Sequence, residues 1–328
     1  MLVLLKMKMN LFTKTALLVY LTLISTACAG LQNTQNPKPP LRVEFTQSWG
    51  DYTLLVAKEQ GYFEKYGVEV EPVYYDSLSD TYPDLASGQI DGALIAVGDA
   101  ININRSAPMK VVALKDNGGD EAVIVGPEIN NIQDLRGKTI GMVIGSQYEQ
   151  TVVEMLQSAN MITENVNIVA LNPKDALTSL QSGRVQAAYV WEPFLSKALA
   201  SGFKSIYPAT QQHNYPSLVV FSKSIVENRP EDVRAFLQGW FQGAGYRQQH
   251  EGETRDLAAK YIGVKANDVP RDDKLRIFSA ADNKSLFNIQ STNSIYSTTR
   301  ITSNYLVLSG LLAEKVDPLE LLDPSFLP

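Results

Sequence analysis

The feature that most constrains this chain is a turn-and-strand unit that occurs twice. Ser87-Gly88-Gln89-Ile90-Asp91-Gly92-Ala93-Leu94-Ile95 has a counterpart in Ser182-Gly183-Arg184-Val185-Gln186-Ala187-Ala188-Tyr189-Val190. Upstream of each, at nearly the same offset, a Gly turn precedes a helical stretch: Gly50-Asp51-Tyr52 first, then Gly145-Ser146-Gln147-Tyr148. Gly before a helix is common in βα units, so the turns alone prove little. The shared order of strand, helix, strand, Gly turn and buried strand implies two related lobes. The second copy runs on into Trp191-Glu192-Pro193-Phe194, where an aromatic, a carboxylate and a proline leave the strand end.

Hydrophobic periodicity fills in the lobes. Leu41 to Phe45 alternates as a strand, Tyr52 to Phe63 carries Leu55, Val56, Glu59 and Phe63 at helical intervals, and Val68 to Val73 alternates again. A helix over Ser79 to Ala86 leads to a buried strand from Ile90 to Val97. Two apolar runs, Lys110 to Leu114 and Glu121 to Val125, flank the polar, Gly-rich Lys115 to Asp120, and the second run is read as the first crossing between lobes. The next block predicts a strand from Thr139 to Ile144, a helix from Gln147 to Asn160, a strand from Val166 to Leu171 and a helix from Lys174 to Gln181. Beyond Phe194 come a helix to about Ala200, a short strand at Ser205 to Tyr207, and a return crossing at Leu218 to Phe221. Helices from Glu231, Thr254 and about Thr292 then wrap back over the first lobe. Such alternation predicts an α/β fold with mainly parallel sheets covered by helices, lobe 1 spanning 41–125 and 218–328 and lobe 2 spanning 126–217.

At 328 residues, with 45% apolar and 20% charged residues, the chain is of ordinary globular composition. The formal charge of −6 becomes more negative once residues 1–27 are removed, since they contain Lys6, Lys8 and Lys14 and no acid. A general nucleic-acid role is disfavoured. Residues 1–28 have the order of an export signal, a Lys-bearing start, an apolar run from Ala16 to Ile24 and small residues ending at Cys28. Ser25-Thr26-Ala27-Cys28 resembles the lipobox of bacterial lipoproteins, with Ser25 where Leu is usual, which implies a lipid anchor on Cys28, against plain secretion or an uncleaved anchor. Residues 29–40 read as a flexible tether. With one cysteine and two histidines (His213, His250), no disulfide, metal site or cofactor is expected in the body of the chain.

Four stretches in this order resemble the solute-binding proteins of bacterial importers for sulfonates, taurine, nitrate and the thiamine pyrimidine. They are Leu55-Val56-Ala57-Lys58-Glu59-Gln60-Gly61-Tyr62-Phe63 with Gly67, Ser87-Gly88-Gln89-Ile90-Asp91, Asp134-Leu135-Arg136-Gly137-Lys138, and Trp191-Glu192-Pro193. Each alone is common; together they span the chain from about Leu41 to Leu327. The resemblance implies a type II periplasmic-binding-protein fold, two lobes joined by two crossing strands, that closes on ligand and delivers it to an ABC permease and its ATPase. An exported monomer at the outer face of the cytoplasmic membrane follows from the same resemblance. A ligand sensor, or a lyase or dehydratase using Glu192 and Asp99 as acid and base, is the rival on this fold.

Ligands of open α/β sheets sit beyond the carboxyl ends of strands, against helix N-termini. That rule selects Trp49, Asp51, Tyr52, Asp99, Ser146, Gln147, Tyr148, Trp191 and Glu192 as candidate ligand contacts. Trp49, Trp191, Tyr52 and Tyr148 offer flat faces for stacking or cation–π contact, against a plain core role. Glu192 either meets the ligand or starts a helix; Asp51 and Asp99 either meet it or cap helices. Ser146 and Gln147 present donors suited to an anion, or a simple cap. The acids favour a ligand bearing an amine or aminopyrimidine over a bare anion, and a taurine-like zwitterion satisfies both ends.

Overall fold

Among the described residues eleven strands form two sheets that exchange one strand each. The structure is a computed structural model that describes residues 38–328 apart from 77, 119–120, 145, 209–215 and 270–274. The chain divides into two units, Met1–Pro39 and Pro40–Pro328, and both sheets belong to the second. Cys28, His213 and the leader lie outside the described residues.

The chain enters through β1 (Leu41–Phe45), α1 (Tyr52–Glu59), α2 (Tyr62–Lys65), β2 (Val70–Tyr74), α3 (Leu78–Ser87), β3 (Gly92–Ala96), α4 (Val97–Ile103) and β4 (Met109–Asn117). The second lobe comes next as β5 (Glu121–Val125), β6 (Thr139–Met142), α5 (Gln147–Ser158), β7 (Asn167–Ala170), α6 (Ala176–Gln181), β8 (Ala187–Trp191), α7 (Phe194–Ala200) and β9 (Lys204–Pro208). The return is made by β10 (Ser217–Ser222), then α8 (Lys223–Asn228), α9 (Pro230–Arg247), α10 (Glu251–Ile262), β11 (Arg276–Ile277), α11 (Ala280–Leu286), α12 (Ile295–Leu308) and α13 (Pro318–Leu321).

The first sheet has the order β11-β4-β10-β3-β1-β2 and the second β7-β6-β8-β5-β9. Leaving out the two-residue β11, the orders are equivalent: β2-β1-β3-β10-β4 matches β7-β6-β8-β5-β9. The antiparallel member of each set, β10 or β5, is the strand that the chain enters straight from the other lobe. The sequence repeat is thus a repeat of topology. Its two Gly turns also share a left-handed backbone, φ +75° at Gly88 and +73° at Gly183, which a side chain would strain.

Both sheets are covered on two faces, as their unbroken apolar strands require. Leu94, Val219 and Phe221 face one core while Ala93, Ile95, Leu218 and Val220 face another. In the second lobe Val123 and Val125 point to one side, Ala122 and Ile124 to the other.

Three expectations shift. The second sheet begins at Glu121, not after Val125, because β5 pairs with β8 from Glu121↔Trp191 to Val125↔Ala187. The segment read as a polar linker is half strand: β4 extends to Asn117 and carries Lys115 and Asp116 into the interior. The helix expected through Phe63 breaks at Gly61 (φ +68°) into α1 and α2. No helix among the described residues is long and apolar enough to cross a membrane.

Candidate functional site

Beyond β1 the chain forms a single 3-10 turn, Trp49–Asp51, that runs into α1. Asp51 does not cap this helix. Its carboxylate accepts from the Thr46 N–H and hydroxyl (both 2.8 Å) and is ion-paired with Lys115. Lys115 also pairs with Asp116 at 3.2 Å, and all three side chains are at most 4% exposed. Arg247 of α9 donates to the Gly50 carbonyl (3.1 Å) and the Thr53 hydroxyl (2.9 Å). Burial lowers its guanidinium to about 10, against the opposing pull of Asp116 and Asp51. The same guanidinium lies 4.9 Å from the centre of the Trp49 ring. A Cβ at Gly50 would fall 1.7 Å from Asp116 Oδ2, so a side chain there would have to displace the buried, ion-paired Asp116 carboxylate. Trp49, 5% exposed, and Asp51 are therefore tied into lobe 1 by a buried charge network. A neighbouring carboxyl, Glu44 of β1, accepts from the Leu94 N–H (2.9 Å), and burial followed by the field of Asp51 raises it well above the usual range.

Tyr52 and Asp99 belong to lobe 1 as well. Tyr52, at the first position of α1, packs edge-on to Trp49 at 5.7 Å. Burial drives its phenol up first, then Asp51, with Tyr74 and Glu192 adding to the effect. Asp99, in the first turn of α4, is not its cap either; it accepts from the Tyr82 hydroxyl, and burial raises it to about 6.

The second lobe presents an aromatic wall. Tyr148 stacks on Trp191 (4.7 Å, 30°) and packs against Tyr189 (5.0 Å, 33°). Ser146 caps α5, accepting from the Tyr148 N–H (3.2 Å) and donating to the Val143 carbonyl (2.7 Å). Gln147 is the first residue of α5; its side chain lies outside the described residues. Glu192, joined to Pro193 by a cis peptide bond, accepts from the Ser196 N–H (3.2 Å) and hydroxyl (2.8 Å), so its carboxylate serves the start of α7. It is 8% exposed.

Charges influence groups across the two lobes: Glu192 adds to the rise of Tyr52, Tyr148 to that of Tyr82, and Asp99 to that of Glu121, each after burial as the main cause. Glu121 was not among the residues selected from the sequence. It begins β5 opposite Trp191, accepts from the Tyr189 hydroxyl, and is raised to about 7 by burial, with Asp116 and Asp99 adding to the shift. An acid opening an otherwise apolar strand was its one signal. Lys115 and Arg247 were missed as well, since nothing local marks a lysine in a polar run or an arginine at a helix end as buried.

Two α/β lobes, each completed by a strand received from the other, define the type II periplasmic-binding-protein fold. The family description NMT1/THI5 like matches residues 51–254. A Bacillus subtilis (strain 168) protein named for binding aliphatic sulfonates is 24% identical over 288 residues, covering 84% of this chain and 83% of that protein. Among solved structures, the periplasmic aliphatic sulphonate binding protein SsuA from Escherichia coli superposes with a TM-score of 0.72 at 18% identity, covering 86% of this chain and 92% of SsuA. The desulfurization enzyme DSZB superposes at 0.68 with 16% identity, covering 88% of this chain and 98% of DSZB. The chain belongs to the NMT1/THI5-like family.

Proposed function

We propose that this chain is the extracytoplasmic solute-binding component of an ABC importer, taking a small ligand between its lobes and presenting it to a permease and ATPase. The observation that carries this reading is the pair of exchanged strands, which makes the two lobes separate bodies on a two-strand hinge with polar groups at their facing ends. A ligand touching both lobes shifts the open–closed equilibrium by its extra affinity for the closed form. Binding without turnover fits the site, where Ser146 and Glu192 are engaged as helix caps rather than poised as a nucleophile and base.

The ligand that satisfies the residues best is a small zwitterion of the aminosulfonate type. Relatives named for sulfonates support its acidic end, and the N-terminus of α5 behind Ser146 would serve that end. Asp99, Glu121 and Glu192 support its amine, and with Lys115 and Arg247 committed to lobe 1 they disfavour a bare anion such as nitrate. An aminopyrimidine remains the second reading, favoured by the Tyr148–Trp191 stack. Calorimetry with taurine, alkanesulfonates, an aminopyrimidine and nitrate tests the assignment. Glu192→Gln should weaken an amine-bearing ligand by about 10-fold or more, the worth of a charge-assisted hydrogen bond. Tight nitrate binding that ignores this substitution would sink the charge argument.

We infer further that the mature chain is a monomer held to the membrane through lipidated Cys28, on the strength of the Ser25-Thr26-Ala27-Cys28 motif and the tether after it. Cys28→Ser should move the protein from the membrane fraction to the soluble one. No change in fractionation would refute the anchor.

A further inference from the structure

Asparagine or aspartate followed by glycine is among the least durable units of a polypeptide, because glycine has no Cβ to shield its nitrogen from the side chain before it. The chain has two such pairs, Asp91-Gly92 and Asn117-Gly118. Both border strands of the first sheet, and the fold treats them differently. Asp91 is 8% exposed, and its carboxylate accepts from the Arg42 N–H (2.8 Å), Nε (3.2 Å) and Nη2 (3.1 Å). Its main chain is held too, donating to the Arg42 carbonyl (2.8 Å) and accepting from the Ser222 N–H (2.9 Å). Gly92 lies inside β3, where a Cβ would stand 2.8 Å from the Phe221 ring. Asn117 is instead the last residue of β4, and both it and Gly118 are half-buried. The pairing of β10 with β4 stops at Asp116, so Asn117 is paired only with Arg276 of the two-residue β11. Its carboxamide makes no hydrogen bond to another described residue. Gly118 follows outside the strand with φ +70°.

We propose that Asn117 is a site of spontaneous covalent modification in the folded protein, and that its product rebuilds the first crossing between the lobes. The Gly118 nitrogen attacks the carbonyl carbon of the Asn117 side chain. The bond from that carbon to the amide nitrogen breaks, and ammonia leaves with the proton shed by Gly118. A cyclic imide remains, which water opens at either carbonyl to give aspartate or isoaspartate. The net reaction consumes water and releases ammonia. An extended strand holds the reacting atoms apart, so conversion follows fraying of this terminal ladder pair, which opens at less cost than a buried strand. In isoaspartate the main chain runs through the former side chain and gains an atom. Only residues 118–120 separate β4 from β5, so the added atom falls in the short connection between Asp116 and Glu121. Either product also places a new carboxylate beside Asp116.

The test incubates the purified full chain in mildly alkaline buffer with and without urea. Ion exchange follows the acidic species, and peptide mapping with fragmentation that tells isoaspartate from aspartate locates them. In native buffer wild type should accumulate both products at position 117, and Asn117→Ala should lose that acidic species. Urea should speed isomerisation at Asp91 by about 10-fold or more and conversion at Asn117 by clearly less, since the fold locks only the first pair. The isolated isoaspartyl form should melt below freshly prepared Asn117→Asp, which carries the same charge on an unaltered main chain. No conversion at Asn117 in native buffer over the time in which urea completes it would overturn the proposal, as would equal protection of the two pairs. An isoaspartyl form that melts together with Asn117→Asp would overturn the claim that the crossing is rebuilt.

Discussion

Glu121 shows what a single buried carboxyl does to the pH response of the molecule. Its folded value of about 7 lies above the range of an exposed glutamate, so the folded state holds a proton that the unfolded chain releases. The associated stability is fully present below about pH 4.3 and is lost as the pH climbs through 7. Asp99, raised to about 6, acts in the same direction over a lower window. Urea unfolding of wild type and Glu121→Gln at pH 4.5, 6 and 8 should therefore diverge. Wild type should lose on the order of 2 kcal/mol relative to the variant across that span, whereas parallel profiles would remove Glu121 as the titrating group. A bound ammonium would favour the ionised carboxyls, so an amine-bearing ligand should release protons on binding near pH 6.5. At this scale the sequence marked strand ends but not the direction in which a side chain leaves them. Trp49 and Asp51 turn into lobe 1 because Lys115 and Arg247, remote in sequence, meet them there. Of the aromatics selected by the same rule, Tyr52 packs on Trp49 in the lobe 1 core, while Tyr148 and Trp191 stack on each other in the second lobe.

Among elements, α9 explains most of how the returning chain seats on lobe 1. Gly239 and Gly243, one turn apart, let it approach α1 and α2 so closely that a Cβ would stand 2.6 Å from Phe63 Cδ1 or 2.8 Å from the Ala57 Cβ. Gly245 in the same helix is exposed and has nothing within 4 Å. Gly243→Ala should cost about 1–3 kcal/mol through overpacking, while Gly245→Ala should gain up to about 1 kcal/mol from helix propensity. Equal effects in chemical denaturation would contradict the close approach. Long elements were legible because their periods are long enough to count: α9, α10, α12 and every strand of the repeat had a signal. The two-residue β11 and four-residue α13 carry no period, and α11 was passed over in a stretch of polar residues. The Lys115–Asp116 end of β4 was misread since buried charge looks like loop until its partners are known.

For the whole molecule, the repeat made the two-lobed architecture legible, because equal element order forces equal sheet order. The lobe boundary was not, since β5 joins its new sheet at its first residue, Glu121. Which strand belongs to which body depends on pairing, and pairing is not written in periodicity. The exchange of β5 and β10 has a consequence for how the chain comes off the ribosome. All five strands of the second sheet lie between Glu121 and Pro208, whereas the first sheet stays open between β3 and β4 until β10 arrives. The inner lobe can thus complete itself early, and the outer one is obliged to wait with a gap in its middle. A fragment of residues 118–208 should give a cooperative unfolding transition by circular dichroism, and residues 40–125 should not. Truncated just before Ser217, the chain would then consist of one finished lobe hanging from an unfinished one, with only the first of the two crossings made.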